Sequence, residues 1–298
     1  MTSSVPEFPK RLVYLGTPDM AVAPLEALVA AGFEIALVVS RADTRRGRGG
    51  QPSPSPVKAA ALSLGLPVSD QVDDALTVGA DLGVVVAYGR IIAVDVLEQL
   101  PMVNLHFSLL PRWRGAAPVE RALLAGDQVT GVCLMEVCEG LDTGAVFDRR
   151  ELAIGDEESG DELRRRLVAV GSDLLLDSLR RGLRDPQPQV GEPIYAKKLV
   201  ADELCIDWSQ PADNVGRVIR LGGAWTTFRG KRMKVWEARA DTENLRADLG
   251  PGRIDGVMVG TGTTAIELIE VQPEGRGRQH VQAWRNGSQP TADERFAQ

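Results

Sequence analysis

The sequence predicts a doubly wound α/β domain followed by a smaller, barrel-like β domain, and three observations lead there. Short apolar runs ending in glycine or a turn recur through the first two thirds of the chain, alternating with stretches of helical spacing. Most of these runs are continuously apolar rather than alternating, as strands are when helices cover both faces of a mostly parallel sheet. Beyond about Cys205 the chain changes to short β-like pieces separated by glycine-bearing turns. A length of 298 residues allows one or two domains.

In order, Arg11–Gly16 reads as a buried strand, Ala21–Ala31 as a helix and Phe33–Ser40 as a second strand. Ser55–Gly65 reads as a helix, and Asp81–Gly89 (DLGVVVAYG) as the clearest buried strand of the chain. Met102–Phe107 and Thr130–Val137 add two more, and right-handed crossovers make the sheet doubly wound. Ser159 with Glu162 three residues on is a capping-box signature. Leu163, Leu167, Val170 and Leu174 then predict a long helix that fades near Gly182. The proline-rich Asp185–Pro193 has no periodicity and reads as a linker. KRMKVWEA, RIDGVMVGTG and TTAIELIEVQ supply the strands of the second domain, and Met1–Lys10 and about Ser288–Gln298 read as frayed ends. The division is therefore a first domain over 9–184, a linker over 185–204 and a β domain over 205–290.

Composition excludes several classes. With 44% hydrophobic and 25% charged residues the chain reads as an ordinary globular protein. No apolar run approaches the roughly 20 residues that span a bilayer, so no membrane association is expected. The start, MTSSVPEFPKR, lacks the apolar core of a secretory signal. Cys133, Cys138 and Cys205 are odd in number and lack metal-ligand spacing, which fits reduced thiols in the cytoplasm and no bound metal. A net charge of −7 stands against a nucleic-acid partner, yet its distribution points the other way. Arg41, Arg45, Arg46, Arg48 and Lys58 face one acid, Asp43. Arg217, Arg220, Arg229, Lys231, Arg232, Lys234 and Arg239 face only Glu237. Salt screens distant charge beyond roughly 8 Å, so local clusters set the field a phosphate meets. A solvated basic surface is the competing reading.

Open parallel sheets place their sites beyond the carboxyl ends of the strands, where VNLHFSLLPRWRGAAP (Val103–Pro118) falls. Residues two apart on a strand share a face, so Asn104 and His106 point the same way. Pro111 breaks the strand, and Pro118 suits the first residue of the next helix. A satisfied polar pair at a strand end is the alternative. EGLDTG (Glu139–Gly144) places Asp142 between glycines, where a ligand can approach closely, although such an aspartate also serves as a plain turn residue. LGTPD (Leu15–Asp19) occupies the position of a dinucleotide loop but lacks the G-x-G-x-x-G pattern, which weighs against a nicotinamide cofactor.

Taken together, NLHFSLLPRWRGAAP and GLDTG resemble the folate-dependent formyltransferase family, in the branch that acts on methionyl-tRNA. The fit continues through LGTP, GRGGQPSPSPVK, VVAYG, YAKKL, IDWSQPA, GAWT and VQPEGRGR, covering nearly the whole chain. The resemblance implies a Rossmann-like formyltransferase domain with a smaller C-terminal OB-like β-barrel that grips tRNA. It implies 10-formyltetrahydrofolate as formyl donor, initiator methionyl-tRNA as acceptor, a cytoplasmic location, a monomeric state and no metal. The family's catalytic trio falls on Asn104, His106 and Asp142. A tetrahedral adduct needs donors for its oxyanion, which Asn104 and His106 supply, and a group to manage the proton, which Asp142 supplies. Ser108, Leu109, Leu110 and Pro111 match the folate loop. Arg48, in the basic loop, matches the key arginine for the acceptor stem, and Arg232 and Lys234 lie on the expected phosphate track.

The chain departs from the family pattern at three places. The segment between Asp70 and Asp81 is short, predicting a reduced crossover. Arg90 stands where an apolar residue is usual, and the turn before GAWT is RLGG. Competing readings are formylation of an amino-sugar nucleotide or glycinamide ribonucleotide, a folate-dependent hydrolase, and an inactive folate- or RNA-binding module.

Overall fold

The computed structural model describes residues 4–45, 51–240, 248–291 and 293–297. These divide into two compact units. One holds the described residues of Met1–Val119, Val129–Ala153 and Arg164–Lys197; the other holds those of Glu120–Gln128, Ile154–Leu163 and Lys198–Gln298. Arg48 lies outside the described residues.

The chain begins with β1 (Arg11–Gly16), α1 (Val22–Ala30) and β2 (Glu34–Val39). The short pair β3 (Thr44–Arg45) and β4 (Pro52–Ser53) precedes α2 (Pro56–Ser63). Next come β5 (Val68–Ser69), β6 (Leu82–Val86), α3 (Val94–Gln99), β7 (Met102–His106), β8 (Arg112–Gly115) and α4 (Pro118–Ala125). β9 (Val129–Glu136), β10 (Val146–Ala153), α5 (Gly160–Arg181) and β11 (Ile194–Ala196) follow. Seven strands form one sheet in the order β10-β9-β7-β6-β1-β2-β5. β6 is buried at every position and β1 at all but its first, which is why both read as continuous apolar runs. Successive strands run outward from β1 through β2 to β5, then resume on its other side with β6, so the topological switch lies between β1 and β6. There the Thr17 hydroxyl donates to the Tyr88 carbonyl at 3.1 Å, tying the two carboxyl-end loops together.

Local signals act as their chemistry requires. Ser55 caps α2 by accepting from the Lys58 N–H at 3.0 Å, with Pro56 in the first turn. Glu162 accepts from the Ser159 N–H at 3.0 Å while Ser159 accepts from the Glu162 N–H at 3.3 Å, a reciprocal capping box that starts α5. The short stretch before β6 holds only a six-residue 3-10 helix, Val72–Thr77, so that crossover is reduced as expected.

The sheet departs from the expectation at one edge. β9 runs antiparallel to β7, and β10, which the sequence pattern does not reveal, runs antiparallel to β9. β10 is VFDRRELA, whose buried face is only partly covered; four consecutive charged residues hide its period and also guard the sheet edge. The proline-rich stretch expected to be a linker also carries structure. Gln187 exchanges two main-chain hydrogen bonds with Val146, both 2.8 Å, and β11 pairs in parallel with β8.

The second unit contains α6 (Ala212–Arg220), β12 (Trp225–Phe228), β13 (Lys231–Ala240), β14 (Ile254–Asp255), β15 (Met258–Gly260), β16 (Ala265–Pro273), β17 (Gln279–His280) and α7 (Val281–Ser288). Its strands are antiparallel in the order β12-β13-β16-β15-β14, with β17 beside β16. α6 buries Ala212, Val215 and Ile219 against the core, a helical stripe that leaves Arg217 and Arg220 outside it. The tail expected to be frayed instead finishes this sheet. Bridges join Ala297 to Thr227 and Arg295 to Arg253, so residues 295–297 run between β12 and the start of β14. Phe296, 2% exposed, stacks on Trp208 at 5.5 Å and meets Trp284 at 5.7 Å. One apolar side chain among polar neighbours leaves no period to read. Replacing Phe296 with alanine is expected to destabilise this unit by about 3–5 kcal/mol. The check is a lower urea midpoint at unchanged slope in the tryptophan-fluorescence transition; an unchanged midpoint contradicts the packing argument.

Candidate active site

The strand register places Asn104 and His106 on one face of β7, with Asn104 opposite Val85 of β6 and Met135 of β9. His106 is 5% exposed and its Nε2 lies 2.9 Å from the Trp113 carbonyl oxygen. A carbonyl only accepts, so Nε2 carries a hydrogen and donates it. Trp113 turns its carbonyl to the ring from a left-handed conformation, φ 65°. This leaves Nδ1 as the ring nitrogen not held by that carbonyl.

Nδ1 faces Asp142, whose Oδ2 is 3.7 Å away. That is a charge contact rather than a hydrogen bond. The other carboxylate oxygen, Oδ1, accepts from the Asn104 amide at 3.5 Å, and Oδ2 also accepts from the Gly115 N–H at 2.7 Å. The three residues singled out in the sequence therefore converge. Asp142 sits at φ 50°, a conformation that aspartate tolerates better than most side chains. Gly144 closes the loop where a Cβ would fall inside the Glu136 carbonyl, so only glycine fits.

In the Ser108–Pro111 loop the Leu109 carbonyl accepts from the Arg112 N–H at 3.1 Å and the Pro111 carbonyl from the Ile194 N–H at 3.3 Å. Ser108 is fully buried and donates its hydroxyl to the Arg112 carbonyl at 2.6 Å. Leu110 packs with Cys133, Met135 and Val146, while Leu109 and Pro111 remain partly exposed. Burial pushes the neighbouring Cys133 thiol up to about 11, which keeps it protonated and unreactive. Arg90 points to the Asp70 carbonyl at 3.4 Å. Two exposed apolar side chains, Ile91 at 92% and Leu141 at 58%, stand on the loops after β6 and before Asp142. Among the described residues no group of three or more His, Cys, Asp or Glu is gathered to hold a metal. No described helix is long and apolar enough to cross a membrane.

Sequence reasoning missed Trp113, whose carbonyl holds His106, and Gly115, whose N–H holds Asp142. It also missed Gln189, whose amide donates to the carbonyls of Asp142 and Gly144 at 2.8 and 2.9 Å. Backbone groups leave no residue-type signal, and Gln189 lies in a stretch that reads only as proline-rich.

In the second unit, Arg232 lies over the Trp225 ring with its guanidinium carbon 3.9 Å from the centroid, and Lys234 lies 5.1 Å from the centroid of Trp236. Trp225 and Lys234 are register partners across β12 and β13, so cations and aromatic rings alternate on this surface. Other members of the cluster are engaged: Arg229 pairs with Glu294, holding that carboxyl down to about 2, and Arg220 donates to the Gly155 and Glu158 carbonyls. In the first unit Lys58 pairs with Asp43 at 2.6 Å.

Two family models match the chain: formyl transferase over residues 10–179, and formyl transferase C-terminal domain over 198–289. The chain belongs to the formyl transferase family. Full-length relatives sharpen the placement. A methionyl-tRNA formyltransferase of Roseobacter denitrificans is 44% identical, covering 93% of this chain and 96% of its own length. One from Symbiobacterium thermophilum is 40% identical, covering 96% and 95%. Among solved structures, HypX from Aquifex aeolicus in complex with tetrahydrofolic acid shares the fold at TM-score 0.65 and 17% identity, over 95% of this chain but only 47% of that one. An N-formyltransferase from Helicobacter canadensis, bound to folinic acid and dTDP-3-aminofucose, gives TM-score 0.66 at 16% identity, over 87% and 98%.

Proposed function

We propose that the chain transfers the formyl group of 10-formyltetrahydrofolate to the α-amine of initiator methionyl-tRNA, giving formyl-methionyl-tRNA for translation initiation, as a cytoplasmic monomer. The acceptor rests on one observation: likeness to proteins named for it runs through both family domains at 40–44% identity.

The chemistry follows from the trio. The neutral amine attacks the formyl carbon; a C–N bond forms and the carbonyl π pair moves onto oxygen. Asn104 Nδ2–H and protonated His106 Nδ1–H donate to that oxyanion. Asp142 takes the amine's proton through water and holds the imidazole opposite it. The oxyanion then collapses, the bond to folate N10 breaks, and N10 takes the proton back from Asp142 through water and leaves as tetrahydrofolate. The Ser108–Pro111 loop and the exposed faces of Ile91 and Leu141 suit a flat pterin. In this reading residues 9–184 carry the reacting side chains, 185–204 connect the domains while bracing the Asp142 loop through Gln189, and 205–290 grip the tRNA.

Arg232 and Lys234, interleaved with Trp225 and Trp236, suit a phosphate backbone with unpaired bases. Replacing both cations with alanine is expected to raise KM for methionyl-tRNA and flatten its salt dependence by about 0.7–0.9 in log–log slope for each phosphate no longer neutralised. KM measured across a salt series checks this, and an unchanged slope removes them from the tRNA path. Arg48→Ala is expected to weaken tRNA use and spare any small free amine.

The test of the reading is acceptor choice. Purified protein with 10-formyltetrahydrofolate is offered charged initiator tRNA, an amino-sugar nucleotide and glycinamide ribonucleotide. Formylation of the tRNA supports the proposal; formylation of either small acceptor alone keeps the chemistry and discards the partner.

A further inference from the structure

The Asp142 loop is held from a part of the chain that shows no catalytic signal. Gln187 and Val146 exchange both main-chain hydrogen bonds, and in an antiparallel ladder the next such pair would be Gly144 with Gln189. At that position the side chain of Gln189 makes the contact. Its Nε2 donates to the Gly144 carbonyl at 2.9 Å and to the Asp142 carbonyl at 2.8 Å, using both amide hydrogens. Its Oε1 accepts from Arg114 Nε at 3.0 Å and Nη2 at 2.7 Å. Arg114 precedes Gly115, whose N–H binds the Asp142 carboxylate at 2.7 Å. The loop is thus gripped at its backbone by Gln189 and at its side chain by Gly115, and Gln189 ties the two grips together through Arg114.

We infer that Gln189 is a positioning residue for formyl transfer: its amide holds Asp142 at φ 50° so that the carboxylate stays opposite His106 Nδ1 and Asn104. The inference rests on the catalytic reading of that trio. A left-handed aspartate between glycines is a conformation other arrangements compete with, and the two carbonyls it exposes need donors. At this ladder position the Gln189 side-chain amide supplies both donors. A displacement of about 1 Å in a reacting group costs on the order of a hundredfold in rate, so loss of this grip shows in turnover.

Two near-isosteric variants separate the roles. Gln189→Glu keeps acceptors for Arg114 but removes both donors to the loop. Gln189→Met removes everything at similar size. Both are expected to lower kcat by about ten- to a hundredfold with KM for methionyl-tRNA within about twofold of the parent, and Gln189→Glu to fall as far as Gln189→Met. In an Asp142→Ala background the further decrease should be under about threefold, because the group being positioned is gone. A readout independent of turnover is available, since the chain has only two histidines, His106 and His280. With 15N-labelled histidine, Gln189→Glu should move the His106 ring resonances in the direction seen for Asp142→Ala and leave those of His280 in place. Full activity in Gln189→Glu with a decrease only in Gln189→Met would overturn the inference, because the residue would then serve Arg114 alone. So would a His106 spectrum identical to the parent's. If the unaltered protein formylates no methionyl-tRNA, the acceptor reading fails, while the histidine spectra still decide whether Gln189 positions Asp142.

Discussion

Replacing His106 with alanine is expected to reduce turnover about a hundredfold or more, at an acceptor KM close to the parent's. The loss lies in kcat because the imidazole meets charge that develops only in the transition state. The direction of the hydrogen bond to Trp113 makes the prediction sharper. With Nε2–H given to that carbonyl, Nδ1 is the ring nitrogen that faces Asp142. An asparagine at 106 places its amide near the former Nδ1, whereas a glutamine reaches towards the former Nε2. His106→Asn should therefore retain more activity than His106→Gln. The reverse order, measured at saturating folate with thermal stability as a control, would assign the chemistry to Nε2 and break the account of the tautomer.

Asp142→Ala is expected to cost a comparable amount, on the order of a hundredfold in kcat. One carboxylate serves three groups here: the Asn104 amide, the Gly115 N–H and the imidazole of His106. Removing it leaves the His106 imidazole without the carboxylate opposite it and the departing amine proton without an acceptor. The Asn104 amide is freed, not removed, so part of the oxyanion stabilisation survives. Asp142→Asn keeps the shape and an acceptor for Gly115 but turns an N–H towards Asn104, and it should recover little. Steady-state kcat with unfolding midpoint checks both. Wild-type turnover in Asp142→Ala would leave the carboxylate a turn residue, the alternative that spacing alone allowed.

β1 and β6 were legible because burial on both faces leaves little polar to blur them; their extents follow their apolar runs within a few residues. The helix starts at Ser55 and Ser159 were legible because a cap is a local hydrogen bond between residues three apart. The edge strand β10 was not, since the charges that protect an edge also erase its pattern. Phe296 and Gln189 escaped for a shared reason. Each acts across a long stretch of sequence, on Trp208 and on Asp142, and nothing near it in sequence records the partner. The trio's residue types were legible; its support by Trp113 and Gly115 was not, because every residue carries the same main-chain groups.

The central claim is a transfer between two bound substrates, and a single-turnover quench tests it most directly. Enzyme in excess over charged initiator methionyl-tRNA is mixed with 10-formyltetrahydrofolate, and formyl-methionyl-tRNA, tetrahydrofolate and formate are measured together. The account predicts formyl-methionyl-tRNA and tetrahydrofolate appearing one for one at the same rate, with formate at background and both products suppressed in His106→Ala. Formate released in step with tetrahydrofolate, with the tRNA left unformylated, would make water the acceptor and contradict it.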